Sequence, residues 1–148
     1  MSYEKLIVYQ VSISIEFLGL SFQIIEQLPR GYSELADQLK RASMRIPLNI
    51  AEGAGKRTKA DCRKYFDIAR ASSMECGAIL DVCSKLQLAK IELVSKGKLL
   101  LERMVAMLTK LADAQSTRAE ENATVARPMP TPRSTRTPTP KSTSPCPT

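Results

Sequence analysis

The chain contains no histidine and no tryptophan, and each absence removes a class of function. Histidine is the side chain whose ordinary pKa places proton transfer near neutrality, so acid–base catalysis loses its usual agent. Four cysteines are present, Cys62, Cys76, Cys83 and Cys146, but no imidazole is available to activate one as a nucleophile. They form no Cys-x-x-Cys pair, so a zinc site is not expected. Three fall within apolar helical pattern and the fourth near the C-terminus, which fits no disulfide framework. The expectation is reduced thiols serving as small core hydrophobes in a cytoplasmic protein without metal or cofactor, and not an enzyme. Aromatics are scarce as well, four tyrosines and three phenylalanines. That suits helices packed through aliphatic side chains.

An uninterrupted hydrophobic run is also missing. The apolar N-terminal stretch is broken by Gln10, Ser12, Ser14 and Glu16, which matches neither a signal-peptide core nor a membrane span, and no membrane partner is expected. Gly53-Ala54-Gly55-Lys56-Arg57-Thr58 suggests a phosphate-binding loop only briefly. That loop needs glycine where Ile50 stands and Ser or Thr where Arg57 stands, and it follows a strand.

What is present is helical periodicity. In residues 3–28, Ile7, Val11, Ser14, Leu18, Ser21, Ile25 and Leu28 step by alternate fours and threes, the seam spacing of helices packed at shallow angles. Val8, Ile13, Ile15, Phe17, Leu20 and Ile24 add so much apolar character that this helix must be covered on more than one side. Pro29 and Gly31 close it. Ser33 is the expected N-cap of a second helix, with Leu35, Leu39, Ala42, Ile46 and Ile50 buried, a kink at Pro47, and a stop at Gly53 and Gly55. A third helix from Lys59 to Leu86 has the seam Cys62, Phe66, Ala69, Ser73, Cys76, Leu80 and Cys83. Its small residues would let a neighbour approach closely. A connector at 87–90 leads to a fourth helix, 91–114. Leu93, Leu100, Met104, Met107 and Leu111 form one face of it. Leu101, Val105 and Leu108 form a second, expected to contact another subunit. Asn49 and Glu52, with Arg70, Ser72, Ser73 and Glu75, are expected to make an internal polar network.

The predicted architecture is all-α: an antiparallel up-down-up-down four-helix bundle over 1–115, followed by a disordered basic tail over 116–148. Seven of the nine prolines lie in 128–148 among Thr and Ser, a composition that cannot bury enough surface to fold.

The net charge is +7. Residues 40–70 hold nine cations (Lys40, Arg41, Arg45, Lys56, Arg57, Lys59, Arg63, Lys64, Arg70) against Glu52, Asp61 and Asp67. The remainder of residues 1–115 is slightly acidic. A localised basic stripe attracts polyphosphate, and the nine side chains are the candidate nucleic-acid contacts. With few aromatics to stack bases, binding should run through the backbone and be weakly sequence-specific.

The run Ile46-Pro47-Leu48-Asn49-Ile50-Ala51-Glu52-Gly53, then Phe66-Asp67-Ile68-Ala69-Arg70-Ala71-Ser72 and Glu75, resembles the family of proteins encoded in intervening sequences of 23S ribosomal RNA genes. Tyr9-Gln10 and Gln38-Leu39-Lys40-Arg41-Ala42 resemble it too. Met44-Arg45 and Ala71 depart from its pattern, and the tail has no counterpart. The resemblance implies a four-helix bundle in which Pro47, Asn49, Glu52, Gly53 and Glu75 are structural motif residues. It also implies assembly into a ring, often a pentamer, and no catalytic residues. The resulting expectation is a homo-oligomeric scaffold that binds nucleic acid, structured RNA above all. The alternative is a protein-interaction accessory factor, such as a partner of a diversity-generating retroelement reverse transcriptase.

Overall fold

The computed structural model describes residues 2–125, with side chains to Ser116. Four helices follow one another: α1 (Tyr3–Gln27), α2 (Ser33–Ala54), α3 (Lys59–Lys85) and α4 (Ile91–Val125). Each packs on its neighbours in chain order and α4 closes back on α1, while the diagonal pairs do not meet. This is the expected antiparallel bundle. Where the tail was expected from residue 116, α4 remains helical through Val125. The Pro-rich stretch that follows lies outside the described residues.

Local chemistry fixes the ends. Ser2 caps α1 by accepting from the Lys5 amide. Gly31 turns the chain toward α2 at φ +97°, a conformation open to glycine. Ser33 is not the N-cap of α2 but its first helical residue; Tyr32 occupies the cap without a side-chain bond. The end of α3 is a Schellman motif: the Leu88 amide donates to the Cys83 carbonyl at 2.9 Å and the Gln87 amide to that of Ser84 at 3.2 Å. Gln87 takes the left-handed position, φ 52°, that glycine usually fills. The Gln27 side chain then accepts from the Lys90 amide at 2.8 Å, tying the end of α1 to the start of α4.

The core confirms the α3 seam in full, every member being buried. On α1 the expected seam holds at Ile7, Ser14 and Ser21, while Val11, Leu18 and Ile25 give way to Gln10, Phe17 and Ile24, each one residue earlier. The side that faces in carries Ile7, Gln10, Ile13, Ser14, Phe17, Leu20, Ser21 and Ile24. Val11, Leu18 and Ile25 lie half-buried at its edge. Gln10 is fully buried, and neither its amide nitrogen nor its oxygen has a partner among the described residues. Buried Ser14, Ser21, Ser43 and Ser73 each donate to a carbonyl of their own helix. By length and composition α1 is apolar enough to cross a membrane; its apolar residues divide between a face in the core and a face turned outward.

Helix α4 differs from expectation in a second respect. Leu101 and Leu108, assigned to a face seeking another subunit, are buried within this chain, as are Leu100, Met104 and Leu111. One helix wedged between α3 and α1 buries most of both stripes and leaves Leu93, Val105 and Met107 half-buried.

Gly53 is likewise not a stop. It lies inside α2, buried, where a Cβ would stand 2.9 Å from Phe66 Cε1 and 3.0 Å from Tyr65 Cβ. Its missing side chain is what lets α2 and α3 touch. The C-cap is Gly55 in right-handed geometry, φ −84°, and α2 runs through Pro47 without interruption.

Candidate nucleic-acid interface

The α2–α3 connection brings the densest cations to one end of the bundle. The backbone amides of Gly55 and Lys56 close the end of α2 by donating hydrogen bonds to the carbonyls of residues 51–53. Thr58 then starts α3 as a side-chain cap: its Oγ1 accepts from the Asp61 amide at 3.1 Å and donates to the Asp61 carboxylate at 2.6 Å. The Cys62 thiol donates to the Lys56 carbonyl at 3.5 Å and pins the turn from beneath. At the same end Gln115 donates to the Tyr3 hydroxyl, and Arg63 donates to Ser116. The α4 backbone continues about 14 Å past Ser116, at the usual rise per residue.

On this frame the nine predicted cations do not form one stripe. Helical rotation distributes them over three places. Lys56, Arg57, Lys59 and Lys64 surround the α2–α3 corner. Lys40, Arg41 and Arg45 lie farther along α2, on its outer side; the Lys40 ammonium sits 5.9 Å from the Phe22 ring of α1. Arg63 and Arg70 share one carboxylate, Asp67, at 3.6 and 3.4 Å. All three of those residues are partly exposed, so the pairing contributes little stability but removes much of the local positive field.

Within the corner the cations are not equivalent. Lys56 bonds Glu52 at 3.0 Å and lies 4.5 Å from the Tyr65 ring centre. The Glu52 bond holds the ammonium above its ordinary range, and the Lys56 bond holds the Glu52 carboxyl below its own. Glu52 is exposed and Lys56 partly so. Arg57, Lys59 and Lys64 make no ion pair among the described residues, and Arg57 and Lys64 are exposed, Lys59 half-buried. These three are the side chains able to exchange water and counterions for phosphate oxygens.

The motif residues serve the frame. Pro47 and Gly53 are buried, and Asn49 donates to the Arg45 carbonyl of its own helix at 2.6 Å. Glu52 and Glu75 are exposed, so the internal network expected of them with Asn49 and Arg70 does not form. Ser72 and Ser73 are buried without them. Sequence reasoning missed Tyr65, whose ring holds Lys56 in place; an aromatic nine residues after Lys56 and on the next helix carries no local signal.

Among the described residues no group of three His, Cys, Asp or Glu side chains could hold a metal ion. Cys62, Cys76 and Cys83 are free thiols. Burial, with Glu75 adding to it, pushes the Cys76 thiol up to about 12, which keeps it protonated and unreactive near neutrality.

No curated protein matches the chain. A family model does match, across residues 4–110, which spans α1 to nearly the end of the packed part of α4. With the four-helix architecture and the buried Pro47 and Gly53 of its central motif in place, the chain belongs to the family of 23S rRNA-intervening sequence proteins.

Proposed function

We propose that this protein is a non-enzymatic scaffold that binds structured RNA through the α2–α3 corner and assembles with copies of itself. One observation carries the reading: Arg57, Lys59 and Lys64 project from a capped, thiol-pinned turn without ion-pair partners among the described residues. Cations left unpaired need break no ion pair to meet phosphate, and the condensed counterions each contact releases offset the rotamer freedom its side chain gives up. Assembly would repeat the corner once per subunit, and contacts on one nucleic acid would then reinforce each other. The family's description points to an RNA-related setting in the same direction.

The test is filter retention of a structured RNA by the wild type and by the triple variant Arg57→Glu, Lys59→Glu, Lys64→Glu. The wild type is expected to retain RNA at low salt and the variant to lose at least tenfold in affinity. Reversal of Arg63 and Arg70, which already share Asp67, should cost less. Equal retention by wild type and triple variant sinks the proposal. A protein partner that survives nuclease and high salt in a pull-down would favour the accessory-factor reading.

A further inference from the structure

The chain has four tyrosines and three phenylalanines, and the fold takes up all but one of them. Phe17 and Phe66 are completely buried. Tyr65 is half-buried with Lys56 over its ring, and Tyr9 is half-buried beside Arg103, which donates to its hydroxyl. Phe22 and Tyr32 lie toward the opposite end of the bundle from the α2–α3 corner, the first beneath Lys40 and the second in the α1–α2 turn.

Tyr3 is the exception. It opens α1 at the end of the bundle where α2 stops and α3 starts, and it is 43% exposed. No cation among the described residues lies over its ring.

Its place beside the corner is fixed from two sides. The hydroxyl accepts from the Gln115 side chain of α4 at 3.4 Å. Across from Gln115 stands Cys62 of α3, whose thiol donates to the Lys56 carbonyl and is therefore part of the corner itself. Partial burial, with Cys62 adding to it, holds the Tyr3 hydroxyl above its ordinary range, so the side chain stays neutral near neutrality. With its oxygen held between α3 and α4, a tyrosine this exposed presents its ring to solvent.

We infer that Tyr3 is a stacking platform for an unpaired base of the RNA whose phosphates meet the α2–α3 corner. The inference rests on the RNA binding proposed above and narrows its substrate to RNA with an unpaired base, in a hairpin loop or bulge, close to the phosphates bound. Bases in an A-form duplex are already stacked and hidden in its grooves, whereas an unpaired base can splay onto an aromatic face. Arg57, Lys59 and Lys64 hold the backbone while the ring takes the base. Every base has a π-face, so one ring adds affinity for unpaired nucleotides without selecting their sequence.

The test is the anisotropy of two labelled RNAs, a hairpin and a blunt duplex without unpaired bases, on the full chain and on Tyr3→Ala and Tyr3→Phe. Tyr3 is exposed in the first turn of α1, so circular dichroism and the melting temperature should change little. Tyr3→Ala should weaken hairpin binding by roughly five- to one-hundred-fold, the range that one base–aromatic stack supplies. Tyr3→Phe keeps the ring and should bind as the wild type does. Neither substitution alters charge, so the salt slope should stay that of the wild type, whereas reversing the corner cations lowers it. The duplex should not distinguish wild type from Tyr3→Ala. Equal hairpin affinity for wild type and Tyr3→Ala, an equal loss on the duplex, or a loss as large with Tyr3→Phe would overturn the stacking role and leave the corner standing. A wild type that binds neither RNA at low salt would remove the corner reading itself.

Discussion

Replacing Gly53 with alanine tests the helix packing at its tightest point. The new methyl carbon would lie 2.9 Å from Phe66 Cε1 and 3.0 Å from Tyr65 Cβ, both inside ordinary carbon contact. Phe66 is completely buried, and a Cβ cannot swing aside without its backbone. The strain of forcing a methyl into a filled core is about 1–3 kcal/mol. Against it stands the gain from removing a glycine in a helix interior, roughly 0.5–1 kcal/mol. The difference spans roughly 0–2.5 kcal/mol, and because both contacts are with atoms that cannot swing aside, the upper half, a loss of about 1–2 kcal/mol, is expected. For a domain of this size that lowers Tm by roughly 4–8 °C. Gly19 is the internal control: it is exposed in the middle of α1, and a Cβ there meets nothing within 4 Å. Gly19→Ala should therefore stabilise the protein by about 0.5–1 kcal/mol. Urea unfolding of both variants at one fixed protein concentration is the assay, because assembly would make stability depend on concentration. Equal or greater stability for Gly53→Ala would show that α2 and α3 do not approach as described.

Three further outcomes follow from buried groups. Gln10→Met removes two buried polar atoms that lack partners and keeps the volume, so it should stabilise by about 1–3 kcal/mol in the same urea assay; a loss would mean that Gln10 is satisfied. The Cys76 thiol has a folded pKa above its unfolded value, so the unfolded chain releases that proton first as pH rises. Stability from this group is present below pH 9 and lost between pH 9 and about 12; Cys76→Ala should flatten that part of the stability–pH curve, and an unchanged curve would contradict the assignment. Native protein should also react with a maleimide at Cys76 no faster than it opens, so labelling at a rate matching an exposed thiol would show the core to be accessible.

Element type and order were legible in the sequence because all four segments carry helical periodicity between clear breaks, and α2 and α3 carry a single apolar phase. The α3 seam is the best example: polar and charged residues separate its small members, so only one register fits. In α1 apolar residues occur on every side of the helix, and two seams that differ by one residue at alternate members fit almost equally. Only the neighbours decide that Gln10 and Phe17 face in while Val11 and Leu18 sit at the edge. Gly53 failed for a different reason. A glycine near the end of a helical pattern reads as a stop, and its purpose depends on Phe66, which only the folded chain brings near. The length of α4 was missed because residues 116–125 have lost the apolar period yet retain helix-forming Ala, Glu and Arg. The basic stripe was visible as composition, but rotation by about 100° per residue spreads adjacent cations around the bundle. Which of them share a carboxylate, as Arg63 and Arg70 share Asp67, is a property of the fold.

The most direct measurement is the salt dependence of RNA binding, read as the anisotropy of a labelled hairpin between roughly 50 and 200 mM salt. Three unpaired corner cations per chain should give a log–log slope of about −3 for each engaged subunit, and each cation removed should lessen it by about one. A slope near zero, or one unchanged when Arg57, Lys59 and Lys64 are reversed, would contradict the account.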